Sequence, residues 1–253
     1  MNFKLLKRIT FRRNHFVDSI PKDKTILEIG PFYRPVCKGS NVKYFDIIDQ
    51  KALIERAVSI DKNVNTANIP FINFVSPIGD LSVVNEQFDV IISCHAIEHQ
   101  LDLIDHLQKT SKLLKEKGKY YVVCPDKRFC FDYFINKSSI ADVINANQEK
   151  RTRHSLKNVI EHLGLTTHNN AKKHWFGIHG NIEKNSERIA NAIKEYNKNE
   201  YIDVHAWYFT PNSFIKIINQ LYQLGYIDFK ISSMQRTPFL QHEFYAVLEK
   251  FES

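Results

Sequence analysis

Along most of the chain, short apolar runs alternate with helical stripes. The runs bounded by turn residues read as strands at Thr25–Ile29, Val42–Asp46, Phe71–Val75, Phe88–Ser93 and Tyr120–Cys124. Between the last two, LDLIDHLQKTSKLLKEKGK sets Leu101, Ile104, Leu107, Leu113 and Leu114 at helical spacing, and Gly118 is expected to stop that helix. Strands alternating with such helices predict a parallel α/β sheet joined by crossovers. Near the end, TPNSFIKIINQLYQLG carries a start signal, Thr210 as cap with Pro211 at the first helical position, and a stop at Gly225. YIDFKISS and HEFYAVLEK then read as a closing pair of strands.

From Phe129 to Val204 this alternation fails. The stretch shows no strand pattern, holds five of the eleven histidines (His154, His162, His168, His174 and His179), and has helical patterns near Ser139–Asn147, His154–Leu163 and Asn185–Tyr196. A mostly helical insertion after the fifth strand would lie over the C-terminal edge of the sheet, where open α/β folds bind ligands. The expected organisation is therefore a basic segment over 1–20, a core over 21–128, an insertion acting as lid or substrate subdomain over 129–204, and a return to the core over 205–253.

The 253 residues are 43% hydrophobic, enough to bury a full core. Four scattered cysteines (Cys37, Cys94, Cys124, Cys130) make neither a disulfide framework nor a zinc ribbon, which fits a reducing compartment. No run approaches a membrane span, and the basic start MNFKLLKRITFRRNHF is unlike an export signal, so a cytoplasmic location is expected. Lys4, Lys7, Arg8, Arg12 and Arg13 among Phe3, Leu5, Leu6, Ile9 and Phe11 suit either an amphipathic helix resting peripherally on an anionic membrane face or a segment packed over the ligand cleft. The net charge of +7 favours anionic partners without choosing among them.

Strand ends carry the candidate chemistry. TILEIGPFYRP ends the first strand with Gly30, a residue that lets a ligand approach the backbone, and sets Glu28 just inside the loop. Asp46 ends the second strand, where an acid can accept both hydroxyls of a ribose, with Asp49 close behind. After the third strand comes Gly79-Asp80-Leu81, in which Asp80 can accept from an adenine amino group while Leu81 packs on the ring. Each acid alone also reads as a solvated loop residue, but three at successive strand ends form a pattern.

In their order, LEIG, YFD, GDL and FDVIISCHAIEHQLD followed by LLKEKGKYYVVCPDKRF resemble the motifs of class I S-adenosylmethionine-dependent methyltransferases, over roughly Lys24–Cys130 and again in the closing helix and strands. The resemblance implies a Rossmann-like sheet and S-adenosyl-L-methionine as cofactor. Glu28 and Gly30 would hold its methionine end, Asp46 its ribose and Asp80 with Leu81 its adenine, and Ser93, Cys94 and His95 would line the site. GPFYRP, CPDKRFCFDYF and DVHAWYFTPNSF further resemble a bacterial subgroup associated with glycosyltransferases and surface-polysaccharide genes. That narrower likeness implies a sugar or glycan acceptor, lipid-linked or anionic.

The first loop departs from the family's usual glycine-rich form, with Phe32 and Arg34 where further glycines are common. A dinucleotide enzyme would suffer more from this, because a pyrophosphate needs the G-x-G-x-x-G turn and a methyl donor without phosphates does not. His95-Ala-Ile-Glu-His99 matches a zinc-protease string, but His95 directly follows a strand instead of lying on the helix that string requires. Uneven histidine spacing in the insertion and the lack of paired cysteines lead to an expectation of no metal. Cys124 before Pro125 reads as a buried structural thiol, and CPDK is not the turn of base amino-methyltransferases.

Methyl transfer to a hydroxyl needs in-line alignment and gains from a base. His95, Asp126 and His205 are the candidates, His205 having a competing reading as a core histidine beside Trp207 and Tyr208. Arg34, Lys127 and Arg128 could hold a negative group on the acceptor or pair with nearby acids. The best reading is an O-methyltransferase of a sugar or glycan. The alternatives are an RNA methyltransferase, which the basic charge favours and the absence of an RNA-binding appendage does not, and a scaffold that kept the fold and lost the cofactor.

Overall fold

The computed structural model describes residues 11–183 and 185–251. They form one seven-stranded sheet in the order β3-β2-β1-β4-β5-β7-β6. Its strands are β1 Ile26–Ile29, β2 Val42–Asp46, β3 Phe74–Val75, β4 Phe88–Cys94, β5 Leu114–Pro125, β6 Phe229–Gln235 and β7 Glu243–Lys250. β1 to β5 pair in parallel, and β7 enters antiparallel between β5 and β6. This is the Rossmann-like class I methyltransferase sheet that the motif order implied.

The described helices are α1 Arg13–Val17, α2 Gln50–Ile60, α3 Leu103–Leu113, α4 Ile140–Gln148, α5 Leu156–Leu165, α6 Ala171–Trp175, α7 Ser186–Asn197 and α8 Pro211–Gln223. Among the described residues of 129–204 there is no strand, and α4, α5 and α7 fall on the three helical patterns; α6, only five residues long, left no periodic trace. Thr210 caps α8 through the amide of Ser213, with Pro211 at the first helical position. Beyond its end Gly225 takes a left-handed φ of +74°, and the amide of Tyr226 donates back to the Leu221 carbonyl.

One expectation needs correction. Gly118 does not stop a helix: α3 ends at Leu113 and β5 begins at the next residue. β4 pairs Phe88 with Leu114 and then Val90 with Lys119, so the residues between bulge out of the ladder. Lys117 has a positive φ there, and a side chain on Gly118 would meet the Lys115 carbonyl at 2.9 Å.

Helices cover both sheet faces, which explains why β1 is buried along its whole length instead of alternating. On one face Leu27, Ile29 and Ile91 pack with α3 and α8. From α8, Phe214, Ile217, Ile218 and Leu221 face inward at i, i+3, i+4 and i+7, each worth roughly 1.5–3 kcal/mol relative to exposure. On the other face Ile26, Val90, Ile92, Val123 and Tyr245 pack under Phe16 of α1. Phe11 and Phe16 lie against Tyr245 at 5.2 Å, so the described end of the N-terminal segment packs on the sheet. Lys4, Lys7 and Arg8, the remainder of the expected membrane-facing helix, lie outside the described residues. No described helix is long and apolar enough to cross a membrane.

Candidate active site

Two cavities meet at the C-terminal edge of the sheet. The larger, of about 780 Å³, runs across the ends of β1, β2 and β4 and is lined by Gly30, Asp46, Asp80, Leu81 and His95. The smaller, of about 290 Å³, lies under the insertion, with Glu98, Phe131, His162, His205 and His242 in its walls. His95, His99 and Asp203 line both. The division suits a two-substrate enzyme, since one side chain can reach both compartments.

In the larger cavity Gly30 turns the chain with a φ of +69°, its amide donating to the Phe45 carbonyl at 2.9 Å. A Cβ at Gly30 would stand 3.1 Å from that of Ala96, so the glycine keeps the floor open. Asp46 is buried at the end of β2 and accepts from the amide of Ile47 at 2.7 Å. Burial raises its pKa, opposed by the amides of Ile47, Ile48 and Phe32. Asp80 pairs with Lys109 at 2.8 Å and caps the turn Leu81–Val83, and hydrogen bonds from Lys109 and Ser82 pull its carboxyl down to about 2. Leu81 is fully buried behind it. Asp49, by contrast, is spent as the cap of α2.

His95 is the hinge between the cavities. It follows β4 with a φ of +53°, an uncommon backbone for a non-glycine residue that turns the imidazole out of the strand direction. Its Nε2 lies 2.7 Å from Glu243 Oε2 and 3.2 Å from Arg13 Nη2, and Arg13 is ion-paired to the same carboxylate. Because a guanidinium only donates, the acceptor shared by Arg13 and His95 is Glu243, which places the ring proton on Nε2 and leaves Nδ1 with its lone pair. Burial opposes ionisation of Glu243, but the hydrogen bonds from His95 and Arg13 prevail and hold its carboxyl well below the usual range.

In the smaller pocket, His205 is buried with Nδ1 2.8 Å from Asp132 Oδ2, and its backbone amide donates to His162 Nδ1 at 2.9 Å. Burial first, and the neighbouring His205 next, push the His162 pKa down to about 4, so it stays a neutral acceptor. The Glu98 carbonyl accepts from the amides of Ala206 and Trp207 at 2.7 and 3.1 Å. That clamp joins the turn after β4 to the chain returning from the insertion.

The family model described as "Methyltransferase domain" matches residues 4–170. The chain belongs to the methyltransferase domain family. Among solved structures, the CcbJ methyltransferase from Streptomyces caelestis is 11% identical over 94% of this chain and 93% of its own, with a TM-score of 0.46. S-adenosylmethionine-dependent methyltransferases from Methanosarcina mazei (13% identity; 97% and 100% coverage; TM-score 0.44) and Mesorhizobium loti (11%; 90% and 91%; 0.43) are also similar. No curated protein matches the chain significantly.

The cofactor of this methyltransferase is S-adenosylmethionine, and the larger cavity fits it. Its volume lies in the range of small-molecule sites, the floor at Gly30 would be filled by any side chain, and the acids Asp46 and Asp80 stand in its wall at the ends of successive strands, where such a ligand's hydroxyl and amino groups could donate to them.

Several expected contacts are not made. Glu28 lines neither cavity: its oxygens accept from the amides of Val36 and Cys37, both at 2.9 Å, tying the GPFYRPVC loop closed. Burial, opposed by those two amides, pushes its carboxyl up to about 7. Ser93 and Cys94 also miss both cavities, because strand side chains point at the sheet faces and not at the edge. Ser93 bonds Tyr120 Oη at 2.7 Å in the α3 face, and Cys94 packs into the α1 face.

Asp126 cannot serve the methyltransferase as a free base. It is fully buried outside both cavities, accepting from Arg128 at 2.9 and 2.6 Å and from Thr237 at 2.6 Å. That consumes Arg128 as well. Lys127 donates to the Tyr133 carbonyl at 2.8 Å, and Arg34 is exposed over the Tyr33 ring. None of these three cations lines either cavity, so an anionic acceptor finds no basic wall among them.

Sequence reasoning missed Glu243, Asp132 and Asp203. Glu243 left one signal: it opens a closing strand in register with Tyr245 and Val247, an acid on an otherwise buried face.

Proposed function

We propose that this methyltransferase transfers a methyl group to a hydroxyl of a sugar or glycan, in the making of a bacterial surface polysaccharide. The observation that carries the reading is His95, an imidazole shared by the two cavities and oriented by a buried carboxylate. Bound S-adenosylmethionine supplies an electrophilic methyl on a sulfonium. His95 then accepts the acceptor's proton at Nδ1 while Nε2–H stays on Glu243, which stabilises the imidazolium as it forms. Arg13 donates to both oxygens of Glu243 and so fixes the carboxylate that orients the ring.

A polyhydroxylated ring suits the smaller pocket. Glu98, Asp203, His205 and Asn169 offer hydrogen bonds around it, and Phe131 gives an apolar surface for a ring face. Of these, Asp203 already has cationic partners, lying 2.9 Å from His99 Nδ1 and 2.5 Å from Arg56. The insertion completes the pocket through Phe131, His162 and Asn169, the role of a lid or substrate subdomain.

Radiolabelled S-adenosylmethionine and a panel of mono- and oligosaccharides test this. The expected product is a methyl ether, with kcat lowered roughly 10²-fold or more in His95→Ala and cofactor affinity little changed. Methylation confined to nitrogen or to RNA, or full activity in His95→Ala, would overturn the proposal.

A further inference from the structure

Glu98 is the least satisfied charged group of the smaller pocket. It is 1% exposed, and neither carboxylate oxygen has a hydrogen-bond partner among the described residues. The nearest ring nitrogens, His95 Nδ1 at 3.8 Å and His205 Nε2 at 3.9 Å, are beyond hydrogen-bond reach. A buried carboxylate without a donor or a cation is costly, so the site is built for something that enters it.

We propose that Glu98, His99 and His205 bind a divalent transition-metal ion in the smaller pocket. One ligand atom from each lies within 4.8 Å of the others. His205 is prepared for the role: Asp132 accepts a hydrogen bond from its Nδ1 at 2.8 Å, which directs the Nε2 lone pair toward Glu98. This is the carboxylate–histidine–metal arrangement that fixes a ligand's tautomer. Asp203 Oδ1 lies 2.9 Å from His99 Nδ1, a second carboxylate beside a ligand imidazole. Asp132 and Asp203 also make the surroundings acidic, which favours a cation.

Two imidazoles and one carboxylate with a free position are the donor set of catalytic zinc and of other divalent transition metals. All three residues line the smaller pocket, so a further ligand could reach the ion from there. An acceptor oxygen bound there would lose its proton more easily to His95, a role that rests on the proposed O-methylation, whereas the metal site itself does not. Histidine spacing in the insertion gave no hint of it because Glu98 and His99 come from the turn after β4 and His205 from the chain beyond the insertion.

The full-length protein, stripped with a chelator and shown to be folded, is titrated with Zn2+ by calorimetry and with Co2+ by ligand-field absorption. One equivalent of each is expected to bind. The near-isosteric Glu98→Gln, and His205→Ala, should weaken binding roughly 100-fold or more, and Asp132→Asn roughly 10- to 100-fold. S-adenosylmethionine affinity should hold in Glu98→Gln, because Glu98 does not line the larger cavity. Absence of Zn2+ and Co2+ binding, binding indifferent to Glu98→Gln, or an amino sugar that binds through Glu98 without metal would each overturn the proposal. Glycan methylation at full rate by the stripped enzyme would overturn the metal's role and leave the proposed function standing; metal binding without glycan methylation would overturn the proposed function and leave the metal site standing.

Discussion

The two cavities are built differently. The larger is framed by strand ends and the residues just after them, with its candidate ligand-binding groups already held: Asp46 by amides, Asp80 by Lys109, Gly30 by its own turn. The smaller gathers Glu98, Phe131, His162, His205 and His242 from distant stretches, and it contains the unpartnered Glu98. A site whose groups are satisfied in advance is preorganised for one ligand. Unsatisfied buried groups instead mark where something that enters the pocket must complete their bonding.

If the cavities divide the labour in this way, damage to their junction should cost turnover and spare cofactor binding. Glu243→Ala leaves His95 and Arg13 without their shared carboxylate. It is expected to lower kcat about 10²-fold and stability by roughly 2–4 kcal/mol, with calorimetric S-adenosylmethionine affinity within about twofold of wild type. A large loss of cofactor affinity instead would merge the two regions into one.

A smaller effect should appear in stability and not in turnover. Burial pushes the pKa of His106 down to about 3 and that of His154 to about 4, against an ordinary value near 6.5. Both are neutral when folded and take up protons on unfolding below pH 6.5, so stability is full above that value and is lost as pH falls toward 4. By pH 5 each contributes a loss of roughly 2 kcal/mol, measurable by urea denaturation at pH 7 and pH 5. His106→Gln keeps a partner for Tyr120 but cannot titrate, and should remove about one group's share of that slope.

The smallest effect is expected at Arg34, which is exposed and rests on Tyr33. Arg34→Ala should change kcat/KM less than about twofold. A tenfold loss would restore it as an acceptor contact.

The contrast between the cavities also explains what could be read from the chain alone. Gly30, Asp46, Asp80 and Leu81 were legible because a parallel sheet delivers successive strand ends to one edge, so order along the sequence becomes proximity. Glu28, Ser93 and Cys94 were misplaced by the same reasoning carried one residue too far: inside a strand, alternation sends side chains to the faces. His95 lines both cavities because it stands just past that limit. Glu243, Asp132 and Asp203 stayed hidden because an antiparallel return strand, the insertion's first loop and the chain leaving the insertion bring them in, and no local period records those contacts. The α8 caps were explicit, whereas Gly118 carried the chemistry of a stop and was used in a bulge.

The most direct test is titration of the folded protein with S-adenosylmethionine by calorimetry, alongside Gly30→Ala, which places a methyl group 3.1 Å from Ala96 on a left-handed backbone. One-to-one binding by the wild type and at least about tenfold weaker binding by the variant are the predicted results. No saturable binding by the wild type, or equal affinity in both proteins, would contradict the assignment of the larger cavity to the methyl donor.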